Sequence, residues 1–186
     1  SAGPYTVQGM STSPGDGGRT TINSSGNINV ISITVANQVW ADLIVTSTNT
    51  TGTTANNFSV TGAENFFLRI TTSGARASGF NCSSGSGIVL IECEFYDCVK
   101  GGASGNGGMS VTGSGNCLIF RCVSRDNNVG DTDGHGFNIV GGACHDCLSY
   151  GNGGIGYRTV SNASLTFTGC DAYNNAGDGI DLGATT

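Results

Sequence analysis

An irregular repeat runs through most of this chain and survives wide variation in loop length. Ile44, Thr71, Cys93, Cys122, Cys147 and Cys170 align as one repeat position. Three residues earlier stand Ala41, Leu68, Leu90, Ile119, Cys144 and Phe167, and five earlier, in all but one unit, Val39, Phe66, Ile88, Cys117 and Leu165. Each unit continues into a second short alternating strand: Phe58–Val60, Phe80–Cys82, Met109–Val111, Phe137–Ile139, Tyr157–Thr159 and Ile180–Leu182. A period of roughly 22 to 29 residues built from short strands is the pattern of a parallel β-solenoid, in which each unit buries its apolar residues only by stacking on its neighbours. The expected fold is all-β, a single-stranded right-handed parallel β-helix of about six recognisable rungs over residues 36–186. Residues 1–35 form an N-terminal strand or cap segment, with Ile31–Val35 alternating as a strand should.

One unit shows how a rung is made. Cys117 and Ile119 point inward and Leu118 outward. Phe120-Arg121 breaks the alternation, so a bend carries the chain to a second face with Cys122 and Ser124 inward. Asn127 follows, and Asn152 and Asn175 take the same place in later units. Asn tolerates left-handed backbone and bonds local amides, so a stacked Asn corner is expected. The loop after the Cys position is longest in two neighbouring units, Cys98 to Gly108 and Asp126 to Gly136, which places a lip beside the sheet.

Composition narrows the function. Charged residues are 11% of the chain, and Gly, Ser, Thr and Asn replace them. The net charge is −6, with Lys100 the single lysine. No basic stripe exists to displace counterions, so nucleic acid is not an expected partner. No apolar run approaches the roughly 20 residues of a membrane span, so membrane insertion is not expected either. Ser1–Tyr5 has neither a basic nor an apolar leader region. Beyond Leu182 no amphipathic helix or polar cap follows, so the expectation there is a fragment or an end covered by another copy.

Eight cysteines allow a disulfide framework, but most share inward repeat positions, where a reduced ladder of compact apolar side chains is favoured. Cys144-His-Asp-Cys147 has the spacing of half a zinc site without two obvious outer ligands.

The stretch 105–182 resembles the pectate-lyase-like right-handed parallel β-helix superfamily. The residues that carry the resemblance are Gly113–Cys122, Asp133-Gly-His-Gly-Phe-Asn-Ile139 and Cys170–Leu182. These segments are most similar to family 9 polysaccharide lyases, and similar repeats occur in phage tailspikes and surface proteins. The resemblance implies a catalytic Lys after Gly136-Phe137, where this chain has Asn138, which cannot abstract a proton. It also implies a calcium-binding acidic segment, matched here by Gly177–Asp181 with one carboxylate missing.

Several residues invite chemistry. Asp131, Asp133 and His135 form the densest ionisable cluster; they could bind calcium, or Asp133 and His135 could do acid/base work, but the favoured reading is a polar Asp-Gly-rich turn, whose chemistry suffices. Tyr96, Arg125, Tyr150 and Tyr173 fall three residues after successive Cys positions and should form an outward stripe. Together with Asn127 and Asn152 that stripe suits sugar rings, or serves as a stabilising surface ladder. Asp178 and Asp181 are candidate calcium ligands; no other cofactor is expected. The leading expectation is a rigid extracellular, cell-surface or virion module, structural and self-associating into an oligomer or filament, or carbohydrate-binding. The alternative is a lyase, epimerase or hydrolase acting on an acidic polysaccharide, centred on Asp131, Asp133 and His135.

Overall fold

The computed structural model describes residues 6–8, 18–48, 52, 54–101, 106–113, 115–128, 132–159 and 164–183. These form an all-β solenoid of three seven-stranded parallel sheets, joined over about six turns. Sheet A stacks β1 (Thr6–Gln8), β4 (Val39–Ala41), β7 (Phe66–Leu68), β10 (Val89–Ile91), β13 (Cys117–Phe120), β16 (Gly142–His145) and β19 (Leu165–Thr168). Sheet B stacks β2 (Thr20–Ser24), β5 (Leu43–Ser47), β8 (Thr71–Ser73), β11 (Glu94–Tyr96), β14 (Val123–Arg125), β17 (Leu148–Tyr150) and β20 (Asp171–Tyr173). Sheet C stacks β3 (Ile31–Ile33), β6 (Phe58–Val60), β9 (Phe80–Cys82), β12 (Gly107–Val111), β15 (His135–Ile139), β18 (Tyr157–Thr159) and β21 (Ile180–Asp181). Among the described residues no helix is long and apolar enough to cross a membrane.

Sheet C has the register expected from the sequence: Phe58, Phe80, Met109, Phe137 and Tyr157 pair rung on rung. Sheets A and B correct it by one residue in the two early units. Trp40 and Phe67 stand level with Leu90, Ile119, Cys144 and Phe167. The residues immediately before β8, β11 and β14, Ile70, Cys93 and Cys122, are buried, as is Leu43. Ile44, Thr71, Val39 and Phe66 therefore sit one place off the inward rows assigned to them.

The reason is the bend between A and B. Asp42, Arg69, Glu92, Arg121 and Asp146 each adopt φ between 51° and 59°, and Gly169 adopts 64°. One left-handed residue at every turn reverses the side-chain alternation, and the next residue faces inward. In the first two units that inward residue is Leu43 or Ile70 rather than Cys, so a cysteine anchor misplaces them.

The interior is continuous. Phe58, Phe67, Phe80, Phe95, Phe137 and Tyr157 are fully buried, and Phe67 meets Phe80 edge-on at 4.8 Å between ring centroids. All eight cysteines are unpaired. Cys93 donates its thiol to the Phe67 carbonyl, Cys122 to Leu90, Cys147 to Ile119 and Cys170 to Cys144. Each thiol thus ties the A–B bend to the inward residue of the rung before it, a small apolar side chain with one weak donor.

Burial pushes the Cys98 and Cys117 thiols up to about 12, and Cys144 higher still. Thiolate is the reactive form. Burial raises the Cys170 thiol as well, but Cys170 alone of the eight is partly exposed, so it should react first with an aromatic disulfide reagent at neutral pH. The buried thiols should react only as the chain unfolds, and mass spectrometry of the labelled peptides checks that order.

Candidate functional site

The outer surface offers three arrays, one on each sheet. On sheet B, Tyr96, Arg125, Tyr150 and Tyr173 stand in register, as expected from their spacing. Their geometry decides what they can do. Tyr150 and Tyr173 stack face to face at 5.0 Å with 6° between planes. The Arg125 guanidinium lies over the Tyr96 ring at 4.4 Å. Its Nε donates to Glu94 and its Nη1 to Asp126, each at 2.8 Å. The ring faces along this row are turned toward neighbouring rungs, and two of the Arg donors are already committed. What the row offers outward is ring edges and hydroxyls, apart from Tyr173, a residue 48% exposed at the end of the row.

Asn127 and Asn152 do not join that stripe. Both are buried at the B–C corner. The Asn127 backbone and side-chain amides donate to Asn152 Oδ1 at 3.2 and 2.8 Å, and the Asn152 amides donate likewise to Asn175 Oδ1. Asn152 Nδ2 also reaches the Ser124 carbonyl at 3.2 Å and Ser149 Oγ at 3.1 Å. The expected Asn corner is present, and it uses the very side chains proposed for ligand binding.

Sheet C brings together the ionisable residues. His135 is buried at the start of β15. Its Nδ1 accepts the Ile155 backbone N–H at 3.1 Å, so the neutral ring carries its proton on Nε2. Nε2 lies 3.4 Å from Arg158 Nη1 on the next rung. With hydrogens on both nitrogens this approach is not a hydrogen bond; it presents two donors side by side. Asp181 continues the row after Arg158, and its Oδ1 accepts the Gly183 N–H at 2.9 Å. Asn138 is paired with Arg158 in register and is buried.

Burial lowers the His135 pKa first, the Arg158 charge lowers it further, and Asp133 and Asp181 oppose the shift. Arg158 was not picked out from the sequence. Its signal was its place in the outward row of sheet C, three residues after Ile155, whose amide fixes the imidazole. Asp131 lies outside the described residues. Asp178 is exposed, and the Asp181 carboxylate bonds its own turn. Among the described residues, no group of three or more His, Cys, Asp or Glu is placed to hold a metal ion.

A histidine whose folded pKa is lowered stabilises the fold while it is neutral. Above the ordinary value near ~6.5 the contribution is complete. As pH falls below that value the unfolded chain takes the proton first, and stability declines. His135→Asn, which keeps an acceptor toward Ile155, should flatten this loss; urea midpoints of both proteins between pH 8 and about pH 5 measure it.

The third array is on sheet A. Its outward rows read Val39, Phe66, Val89, Leu118 and Ala143, and Leu68, Ile91 and Phe120 beside them. They alternate with the buried row and none belongs to the core cluster. Leu118, near the centre, is 38% exposed. At the edge of this face the bend residues Asp42, Arg69, Glu92, Arg121 and Asp146 alternate in charge. Arg69 is bound to Asp42 through two bonds of 2.6 and 2.8 Å. Arg121 and Glu92 approach only to 3.9 Å, with side chains 59% and 44% exposed.

No protein-family model, curated protein or solved structure matches this chain.

Proposed function

We propose that this chain is a rigid, non-catalytic structural module of an extracellular, cell-surface or virion assembly, which associates with further copies of itself. The observation that carries this reading is the outer face of sheet A. From β4 to β13 it is apolar in both outward rows, on a backbone held rigid by three ladders. A contiguous apolar patch on a sheet of fixed shape favours a protein contact over solvent. The chemistry of the other faces supports it, because Arg125 is committed to Glu94 and Asp126, the stacked Tyr rings face neighbouring rungs, and the Asn corner spends its amides on the fold. The resemblance of 105–182 to pectate-lyase-like β-helices, tailspike repeats among them, fits a surface appendage. Asn138 standing where lyases of family 9 carry Lys fits a module without that chemistry.

The paired donors of His135 and Arg158 favour the second reading, an enzyme or binding module for an acidic polysaccharide. Two N–H groups side by side suit a uronate carboxylate, and Asp133 stands nearby in sequence as an acid/base partner.

Light scattering after size exclusion, with electron microscopy of the same sample, tests the leading reading. The expected mass exceeds the 18.7 kDa of one chain and rises with concentration. A mass of one chain at every concentration would overturn it.

A further inference from the structure

We infer that a second copy of this chain docks on the outer face of sheet A, antiparallel, about a two-fold axis passing between β10 and β13. This rests on the structural reading above and names its interface.

Two observations fix the occupant and its direction. The first is the bend row, whose charges alternate: Asp42, Arg69, Glu92, Arg121, Asp146. Turn a second copy end for end about an axis lying in the face and perpendicular to the solenoid, and its bend row lies along the first. With that axis between the rungs of Glu92 and Arg121, Arg69 meets Asp146 of the second copy, and Asp42 meets the uncharged Gly169 bend. Glu92 faces Arg121 of the second copy, and the same pair forms again on the other side of the axis. The axis placed on a rung would set like charge against like. A row of one sign, or a parallel copy, offers no such match.

The second observation is where the apolar side chains lie. Val89, Ile91, Leu118 and Phe120 occupy the two rungs that flank this axis. Leu118 is the most exposed of the residues in the two rows, and Arg121 lies over Phe120 with its guanidinium 4.8 Å from the ring centroid, which holds the charge at the margin of the face. An isologous contact needs a patch complementary to itself, apolar at the axis and charge-matched at the rim. Strand spacing of about 4.8 Å and a rise of about 3.3 Å per residue make a face of about 24 Å by 10 Å over six strands of three or four residues. That area is well under the usual ~800 Å² per partner, so the pairing is concentration-dependent.

Sedimentation velocity of wild type, Leu118→Glu, Arg121→Glu, Glu92→Arg and the double charge exchange decides the matter, with circular dichroism reporting the fold. The expected result is a dimer that Leu118→Glu abolishes and that each single reversal weakens about tenfold or more, as like charges then face each other. The double exchange should restore it. Association unchanged in Leu118→Glu would overturn this interface while leaving self-association standing. A wild type that stays monomeric throughout would overturn the structural reading itself.

Discussion

Phe67→Ala is expected to cost about 3–5 kcal/mol of folding stability, and Phe66→Ala about 1 kcal/mol or less. The two residues are neighbours of identical chemistry, and only the bend register separates them. Phe67 is fully buried, with Phe58 at 5.8 Å and Phe80 at 4.8 Å between ring centroids. Removing its ring leaves a cavity in the middle of a stack, and rungs on both sides lose a neighbour. In a solenoid each rung is stable only through the adjacent ones, so the loss is felt along the chain. Phe66 lies in the outward row of sheet A, where water replaces the ring. Urea unfolding followed by circular dichroism reads both variants through the midpoint at constant slope. Equal costs, or a larger cost for Phe66→Ala, would mean that the early rungs keep the register of the cysteine alignment.

Asn152→Leu is the second large effect, at about 3 kcal/mol or more, although the substitution fills similar volume with an apolar side chain. Asn152 Oδ1 takes two Asn127 donors and its Nδ2 serves the Ser124 carbonyl, Ser149 and Asn175. Leucine leaves the Asn127 backbone N–H and the Ser124 carbonyl without these partners inside the corner. Each buried group so orphaned costs about 1–3 kcal/mol. Asn175→Leu is the matched control, because that side chain is half-buried on the last corner and water can take over its bonds. It should cost about 1 kcal/mol. Denaturation midpoints that do not separate the two variants would contradict the corner ladder.

These variants also show what was legible in the sequence. The repeat, the three-strand rung, the register of sheet C and the Asn corner follow from alternation and from the left-handed tolerance of Asn and Gly. Sheet C was legible because each unit sets a large apolar residue at one register position, from Phe58 to Tyr157. The early register of sheets A and B was not, because the inward residue after the bend is Leu43 or Ile70 there and Cys93 or Cys122 later, and Asp, Arg and Glu all take the same left-handed backbone before it. Left-handed φ at an Asp or an Arg leaves no reliable mark in the sequence.

The candidate sites were half legible. That Tyr96, Arg125, Tyr150 and Tyr173 would align was plain from spacing. Their ring faces turning onto one another follows from packing at strand distance, which composition does not display. His135 was visible as one of two histidines, but Arg158 reaches it from the next rung, and that distance exists only once the rungs are stacked. The apolar outer face of sheet A was hidden by the same one-residue slip, since Val39, Phe66 and Leu68 counted there as core.

On the proposed function, the side chains of this solenoid serve stacking and assembly rather than turnover. The most direct measurement is release of unsaturated product from acidic polysaccharides, with and without calcium, followed by ultraviolet absorbance. No product above the buffer control is expected under either condition. Product that disappears in both Asp133→Ala and His135→Ala, with the fold intact, would contradict it.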